Sequence, residues 1–184
     1  MSALTPRLAA AAAGEPWALE AIYEEFAPSV LGYLRAQSAA EPEDLGSEVF
    51  VAVVRGLSHF RGDERDFRSW VFSITHRRLM DERRRLARRR DEPADPADMT
   101  RRLAHVAAGD VEEEALGQLG QDRAIRAVAA LTPDQRDVVL LRVLADLSVE
   151  ETAEILGKRK GAVKTLQRRA LRALAERFQR EAVS

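Results

Sequence analysis

The sequence predicts an all-α protein of two small helical domains joined by an acidic linker, the second domain containing a helix-turn-helix. Three observations carry this expectation. Glycine and proline are sparse, 10 and 7 in 184 residues, and no stretch alternates β-branched and polar residues with period two. Apolar residues recur instead at three- and four-residue spacing along most of the chain. That spacing lapses over 91–110, where Pro93, Pro96 and Gly109 stand among acids, a linker composition.

The elements follow in order. Residues 1–14 are alanine-rich and are expected to fray as a tail. A helix is predicted from about Glu15 to Ala36, with Leu19, Ile22, Tyr23, Phe26, Val30, Leu31 and Leu34 on its apolar face. Pro28 lacks a backbone donor and is expected to kink it. Pro42 suits the first turn of a second helix carrying Leu45, Val49, Phe50, Val53, Val54 and Leu57, weakened by about 1 kcal/mol where Gly46 replaces a better helix former. Ser58–Asp66 is a polar break containing Gly62. A third helix should start near Phe67, capped by Asp66, and reach about Arg90. Its first half is apolar and aromatic, its second half dominated by arginine.

Beyond the linker, helix resumes near Val111 and runs to Ala130. Thr132-Pro133-Asp134-Gln135 combines a cap, a first-position proline and a third-position glutamine. Ser148-Val149-Glu150-Glu151 is a second capping box. No internal repeat is present.

Composition excludes several classes. Cysteine is absent, which removes disulfide scaffolds, thiolate metal sites and cysteine nucleophiles. No apolar run, Leu8–Ala13 included, exceeds six residues, against about 20 for a bilayer span; a soluble cytoplasmic protein without membrane insertion is expected. His59, His76 and His105 lack metal-ligand spacing and no glycine-rich phosphate loop exists, so no enzyme, metal or cofactor is expected.

Net charge is only −1, but the charges are segregated. Residues 15–50 carry eight acids against Arg35, and 91–115 carry eight acids against two arginines. Residues 76–90 carry eight arginines against two acids, and 158–180 carry nine bases against Glu176. Two basic blocks around an acidic one suit two contact surfaces for a polyanion; solvated helix faces would show the same blocks. Trp70 and Phe72 lie just upstream of Arg77 and Arg78. Such interleaving suits unpaired bases, and equally a core tryptophan beside solvated arginines.

The sharpest local signal follows Ser148. Ala153, Gly157 and Val163 stand where a helix-turn-helix needs a small residue at the crossing, a left-handed turn residue and a branched apolar plug. Leu147, Leu156, Leu166 and Ala170 complete that core. The second helix, from Lys160 to about Phe178, would be the recognition helix. Opposite its apolar side lie Gly161, Thr165, Arg168 and Arg172, flanked by Lys164 and Arg169, a set suited to phosphates and guanine edges.

Three segments together resemble the extracytoplasmic-function, or group four, sigma factors of the sigma-70 family. PEDLGSEVF at 42–50 resembles that family's polymerase-docking helix. Phe60-Arg61-Gly62 with FRSWVFSI at 67–74 resembles its promoter-melting segment. LSVEETAEILG at 147–157 with Gly161-Ala162-Val163-Lys164 is similar to its promoter-recognition motif. The sequence departs from the pattern at Gly46 and Ser47, at Thr152 where an isoleucine is usual, and at Leu166 and Gln167.

The resemblance implies a tail over 1–14, region 2 over 15–90, the acidic linker over 91–115 and region 4 over 116–184. It implies an RNA polymerase sigma factor that directs core polymerase to promoters and catalyses nothing itself. Asp44, Leu45 and Glu48 would dock on the clamp of the largest subunit, with Phe50 more core than contact. Region 4 would meet the flap of the second-largest subunit. His59, Arg61, Asp63, Arg65 and Trp70 would capture a flipped minus-ten base, with Arg77, Arg78, Arg84 and Arg85 tracking the strand. Lys164, Thr165, Arg168 and Arg169 would read the minus-thirty-five element. The linker would mimic nucleic acid in the polymerase channel. Beyond core polymerase and promoter DNA, the implied partner is an anti-sigma factor, in many cases membrane-anchored. The rival readings are a stand-alone helix-turn-helix regulator, which binds a palindrome as a dimer without polymerase, and a helical interaction module.

Overall fold

The computed structural model describes residues 4–91 and 124–182, and every regular element among them is helical. The alanine-rich start is not a frayed tail. It forms α1 (Leu4–Ala12), with Leu8 and Ala11 buried in the N-terminal core and Arg7 reaching Glu25 at 3.4 Å. A helix this short is marginal alone; docking on α2 (Pro16–Ala36) holds it. α2 continues through the exposed Pro28. It ends where Ser38 takes φ +56° and the Ala39 amide donates to the Leu34 carbonyl at 3.0 Å, closing the last turn.

α3 (Pro42–Gly56) starts at the expected proline. Its Gly46 is buried against α2, where an added Cβ would stand 2.9 Å from Leu31 Cδ2. That close approach accounts for a glycine inside a helix. A 3-10 turn, Leu57–His59, leads into α4 (Glu64–Asp91), which begins earlier than Phe67. The cap is Asp63 rather than Asp66: Asp63 Oδ1 accepts from the amides of Arg65 (2.8 Å) and Asp66 (3.0 Å), and Asp66 Oδ2 accepts from the Asp63 amide. Two aspartates three apart satisfy each other's orphan donors as a capping box does. Tyr33, Phe26, Phe67, Phe72 and Leu34 fill the N-terminal core, with edge-on ring pairs such as Phe26–Phe67 at 5.4 Å.

The acidic linker lies, beyond Asp91, outside the described residues, as does the helix expected from Val111 as far as residue 123. Helical residues 124–129 precede α5 (Pro133–Val139), whose Gln135 side chain accepts from the Thr132 amide at 3.3 Å. A π-helical turn, Leu140–Leu144, then α6 (Val149–Leu156) and α7 (Lys160–Ala182) complete the chain.

The C-terminal domain has two small apolar clusters of its own. Leu140, Leu141, Ala145 and Leu147, however, belong to the same buried cluster as Tyr33, Leu34 and Phe72. The two domains are therefore packed on one another as well as joined by the linker.

Thr152 is fully buried, and its hydroxyl has no hydrogen-bond partner among the described residues. Burying a hydroxyl unpaired costs about 1–3 kcal/mol in proteins. Thr152→Val keeps the shape and removes the polar group, so we expect stability to rise by about 1 kcal/mol, read as a higher urea midpoint with unchanged slope.

Candidate nucleic-acid interface

The helix-turn-helix is assembled by local chemistry. Ser148 Oγ accepts from the Glu151 amide at 3.1 Å, and the Glu151 carboxylate accepts from the Ser148 amide in return. Burial pushes the Glu151 carboxyl up, but its bonds to Ser148 and the Arg65 guanidinium outweigh that and leave it below the usual carboxylate range. Gly157 ends α6 at φ +61°, ψ 30°, and the Lys158 amide donates to the Ala153 carbonyl at 2.9 Å. An added Cβ at Gly157 would meet nothing within 4 Å, so the glycine serves the left-handed turn and not close packing. Ala153 and Val163 are buried together with Val138.

On α7, Lys164, Arg168, Arg169 and Arg172 are exposed. Thr165 is half-buried, its hydroxyl donating to the Gly161 carbonyl at 2.9 Å. Leu166 packs inward against the Val163 cluster, and Gln167 accepts from Arg142 at 3.2 Å; the departures from the family pattern at these two positions thus lie off the outward face. Lys158 pairs with Asp134 at 2.9 Å and Lys160 with Glu150 at 3.0 Å, the latter holding the Glu150 carboxyl down. Lys164, Arg168 and Arg169 have no ion pair among the described residues, so their charge is available to a polyanion.

The second surface is a groove of about 930 Å³ beside the 3-10 turn and α4. Trp70 is half-buried there, its ring tilted by 35° against Phe60 at 5.2 Å and by 46° against Phe67 at 5.7 Å. His59, Arg61, Arg77 and Arg84 also line it. Arg61 donates to the carbonyls of Ser58 (3.0 Å) and Phe60 (2.7 Å), which holds the loop. Asp63 is committed to capping α4, and Arg65 pairs with Glu151 at 3.2 Å.

The four arginines of α4 expected to track the strand divide into two stripes. Arg77 and Arg84, two turns apart, line the groove. Arg78 and Arg85 lie one residue on, about 100° round the helix, and are not brought to it. Arg78 stands 3.6 Å from Glu48, and Arg85 lines a smaller cleft with Asp44 and Glu48. Arg84 also pairs with Asp81, whose carboxyl it holds down. Sequence reasoning missed Ser73 and Met80, which line the groove with Trp70, Arg77 and Arg84; helical spacing from Trp70 was the signal.

On α3, Asp44 and Glu48 are exposed, whereas Leu45 is 3% exposed and belongs to the core. Leu45 therefore fixes the helix, and the carboxylates form its outer face. Phe50 is half-buried beside Tyr23, ring centroids 4.7 Å apart. Glu43 is held below the usual carboxylate range by its bond from Arg35 at 2.8 Å. Among the described residues there is no cluster of three or more potential metal ligands and no helix long and apolar enough to cross a membrane.

Comparison with known proteins matches both halves. Residues 22–89 match the model of sigma-70 region 2, and residues 121–174 that of sigma-70, region 4. The chain is 36% identical over 171 residues to the ECF RNA polymerase sigma factor BldN of Streptomyces coelicolor, covering 90% of this chain and 62% of that protein. It is 35% identical to the ECF RNA polymerase sigma factor ShbA of Streptomyces griseus, covering 81% of this chain and 83% of that one. Among solved structures, CnrH in complex with the cytosolic domain of CnrY is similar, with TM-score 0.64, 20% identity and coverage of 94% and 95%; at that identity the likeness concerns the fold.

Proposed function

Because the chain belongs to the extracytoplasmic-function class of sigma-70 factors, we propose that it directs core RNA polymerase to promoters with two separated elements and opens the downstream one. The observation that carries this reading is the pairing of two unlike cationic surfaces. One is an outward helix face with exposed Lys164, Arg168 and Arg169, suited to major-groove edges. The other is a groove combining a half-buried indole with Arg77 and Arg84, suited to an unpaired strand. A stand-alone helix-turn-helix regulator has use for the first and none for the second.

Each surface alone is small, and polymerase makes them act together. Fixed on one larger body, the two weak contacts reinforce one another at high effective concentration. The acidic face of α3, with Asp44 and Glu48, docks on the clamp of the largest subunit, and region 4 meets the flap of the second-largest. The factor works in the bacterial cytoplasm, where polymerase is, and catalyses nothing itself. A protein inhibitor of the anti-sigma kind is its regulator, and the exposed apolar groove of about 310 Å³ along Val128, Val143 and Leu144 supports such a contact.

The test is transcription in vitro with purified core polymerase and a promoter library, where transcripts should start only from templates bearing both elements. In the same assay Asp44→Lys with Glu48→Lys should weaken capture of core polymerase at least about tenfold, since like charges then face the clamp. Circular dichroism should show the fold unchanged. Unaltered capture would move the docking surface elsewhere.

A further inference from the structure

Arg142 stands on the π-helical turn Leu140–Leu144, where the Ala145 amide donates to the Leu140 carbonyl at 3.0 Å, five residues back. Such turns recur at functional sites. The Arg142 side chain is half-buried and joins three segments. Its Nη1 donates to the Leu147 carbonyl, directly before the Ser148 cap of α6. Its Nε donates to Gln167 Oε1 at 3.2 Å, in the middle of α7. Both acceptors are neutral, and Arg142 has no ion pair among the described residues. Charge neutralisation therefore does not account for it. What the guanidinium supplies here is a rigid planar set of donors.

The place of Gln167 gives this clamp a consequence for DNA. Val163 and Ala170 press α7 into two apolar clusters. Apolar contact is non-directional, so it holds the helix down without fixing its roll about its own axis. A hydrogen bond is directional, and Gln167 lies in sequence between those two anchors. Lys164, Arg168 and Arg169, all exposed, stand within three residues of it. A roll of about 10° carries a side-chain head standing about 6 Å from the axis by about 1 Å. Fork contacts to a base edge tolerate about half that displacement. Gln167, a departure from the family pattern, is thus the handle by which Arg142 holds the reading face.

We propose that Arg142 is a positioning residue for promoter discrimination: through Gln167 it sets the roll of the recognition helix, and so the register in which Lys164, Arg168 and Arg169 meet base edges. This rests on the reading of that face as the minus-thirty-five reader. Arg142 itself touches no base in this arrangement. Its bond to the Leu147 carbonyl ties the start of α6 to the same point, so both helices of the motif move together.

The experiment uses the full chain on purified core polymerase, with a two-element template and its single-base variants in the upstream element. The readout is the ratio of transcription from the preferred template to that from each variant. An unfolded fraction lowers all templates alike and cancels from that ratio. Arg142→Lys keeps the charge without the fork and should lose about tenfold in discrimination, the share of one misplaced bidentate contact. Transcription from the poorest variants should change less than about threefold, because the attraction to phosphates is kept. Gln167→Leu removes the acceptor and should show the same loss. Gln167→Glu added to Arg142→Lys offers the lysine a charged partner and should restore the ratio to within about threefold of wild type. Full discrimination by Arg142→Lys or by Gln167→Leu, or a loss that Gln167→Glu does not recover, would overturn the proposal. A wild-type chain that transcribes all upstream variants equally would defeat the minus-thirty-five reading itself, and the proposal with it.

Discussion

Replacing Arg168 and Arg169 together by alanine should reduce transcription from a two-element promoter at least about thirtyfold, because each arginine fork on a base edge is worth about 1–3 kcal/mol. Both side chains are exposed and without ion pairs among the described residues, so the fold should survive unchanged. Capture of core polymerase should also survive, since the acidic face we propose for docking lies on α3 in the other domain. Promoters weakened in the upstream element separate two roles for these arginines. Base readers lose discrimination at particular positions, whereas phosphate contacts weaken all templates alike and lower the salt dependence by about one unit per charge. Run-off transcription on a set of single-base variants, with core binding followed in parallel, checks this. Loss of core binding would overturn the assignment of separate tasks to the two domains.

What the sequence made legible was local. Ser148, Glu151, Ala153, Gly157 and Val163 lie within sixteen residues and specify caps, a left-handed turn and a crossing by short-range geometry, and the structure has all of them. α1 was not legible because its stability comes from burying Leu8 and Ala11 against another helix, which an alanine run does not announce. Asp66 was legible as the cap, but the outer cap Asp63 was not, because only backbone geometry shows which of the two aspartates is outermost. The arginine block of α4 reads as one cationic surface in composition, yet its seven-residue spacing already contained the division of Arg77 and Arg84 from Arg78 and Arg85. The seam between domains was beyond reach, since Gln37 and Asp137 are 100 residues apart and nothing local marks either one as a partner.

Gly56 supplies the second large effect. An added Cβ there would stand 2.7 Å from Trp70 Cζ2 and 3.0 Å from Cη2, and an indole, unlike a flexible chain end, cannot bend away. Gly56→Ala should therefore shift Trp70 away from its contact with Phe60 while deleting no groove side chain. If Trp70 holds an extruded base, stacking worth about 1–3 kcal/mol is at stake, and open-complex formation should fall roughly ten- to a hundredfold. Trp70→Ala should fall at least as far, but it also removes a packed ring, so its loss alone could reflect stability. Gly56→Ala separates the two, because it deletes no ring: core binding should stay near wild type and the melting temperature should fall less than for Trp70→Ala. With Trp17→Phe, the only remaining tryptophan is Trp70, and its emission should be quenched by a single-stranded minus-ten oligonucleotide on polymerase. A premelted template distinguishes capture from wedging: a residue that stacks the base remains needed when the strands are already apart, whereas a wedge does not. Normal opening by Gly56→Ala, with the indole shown to be displaced, would remove Trp70 from the melting machinery.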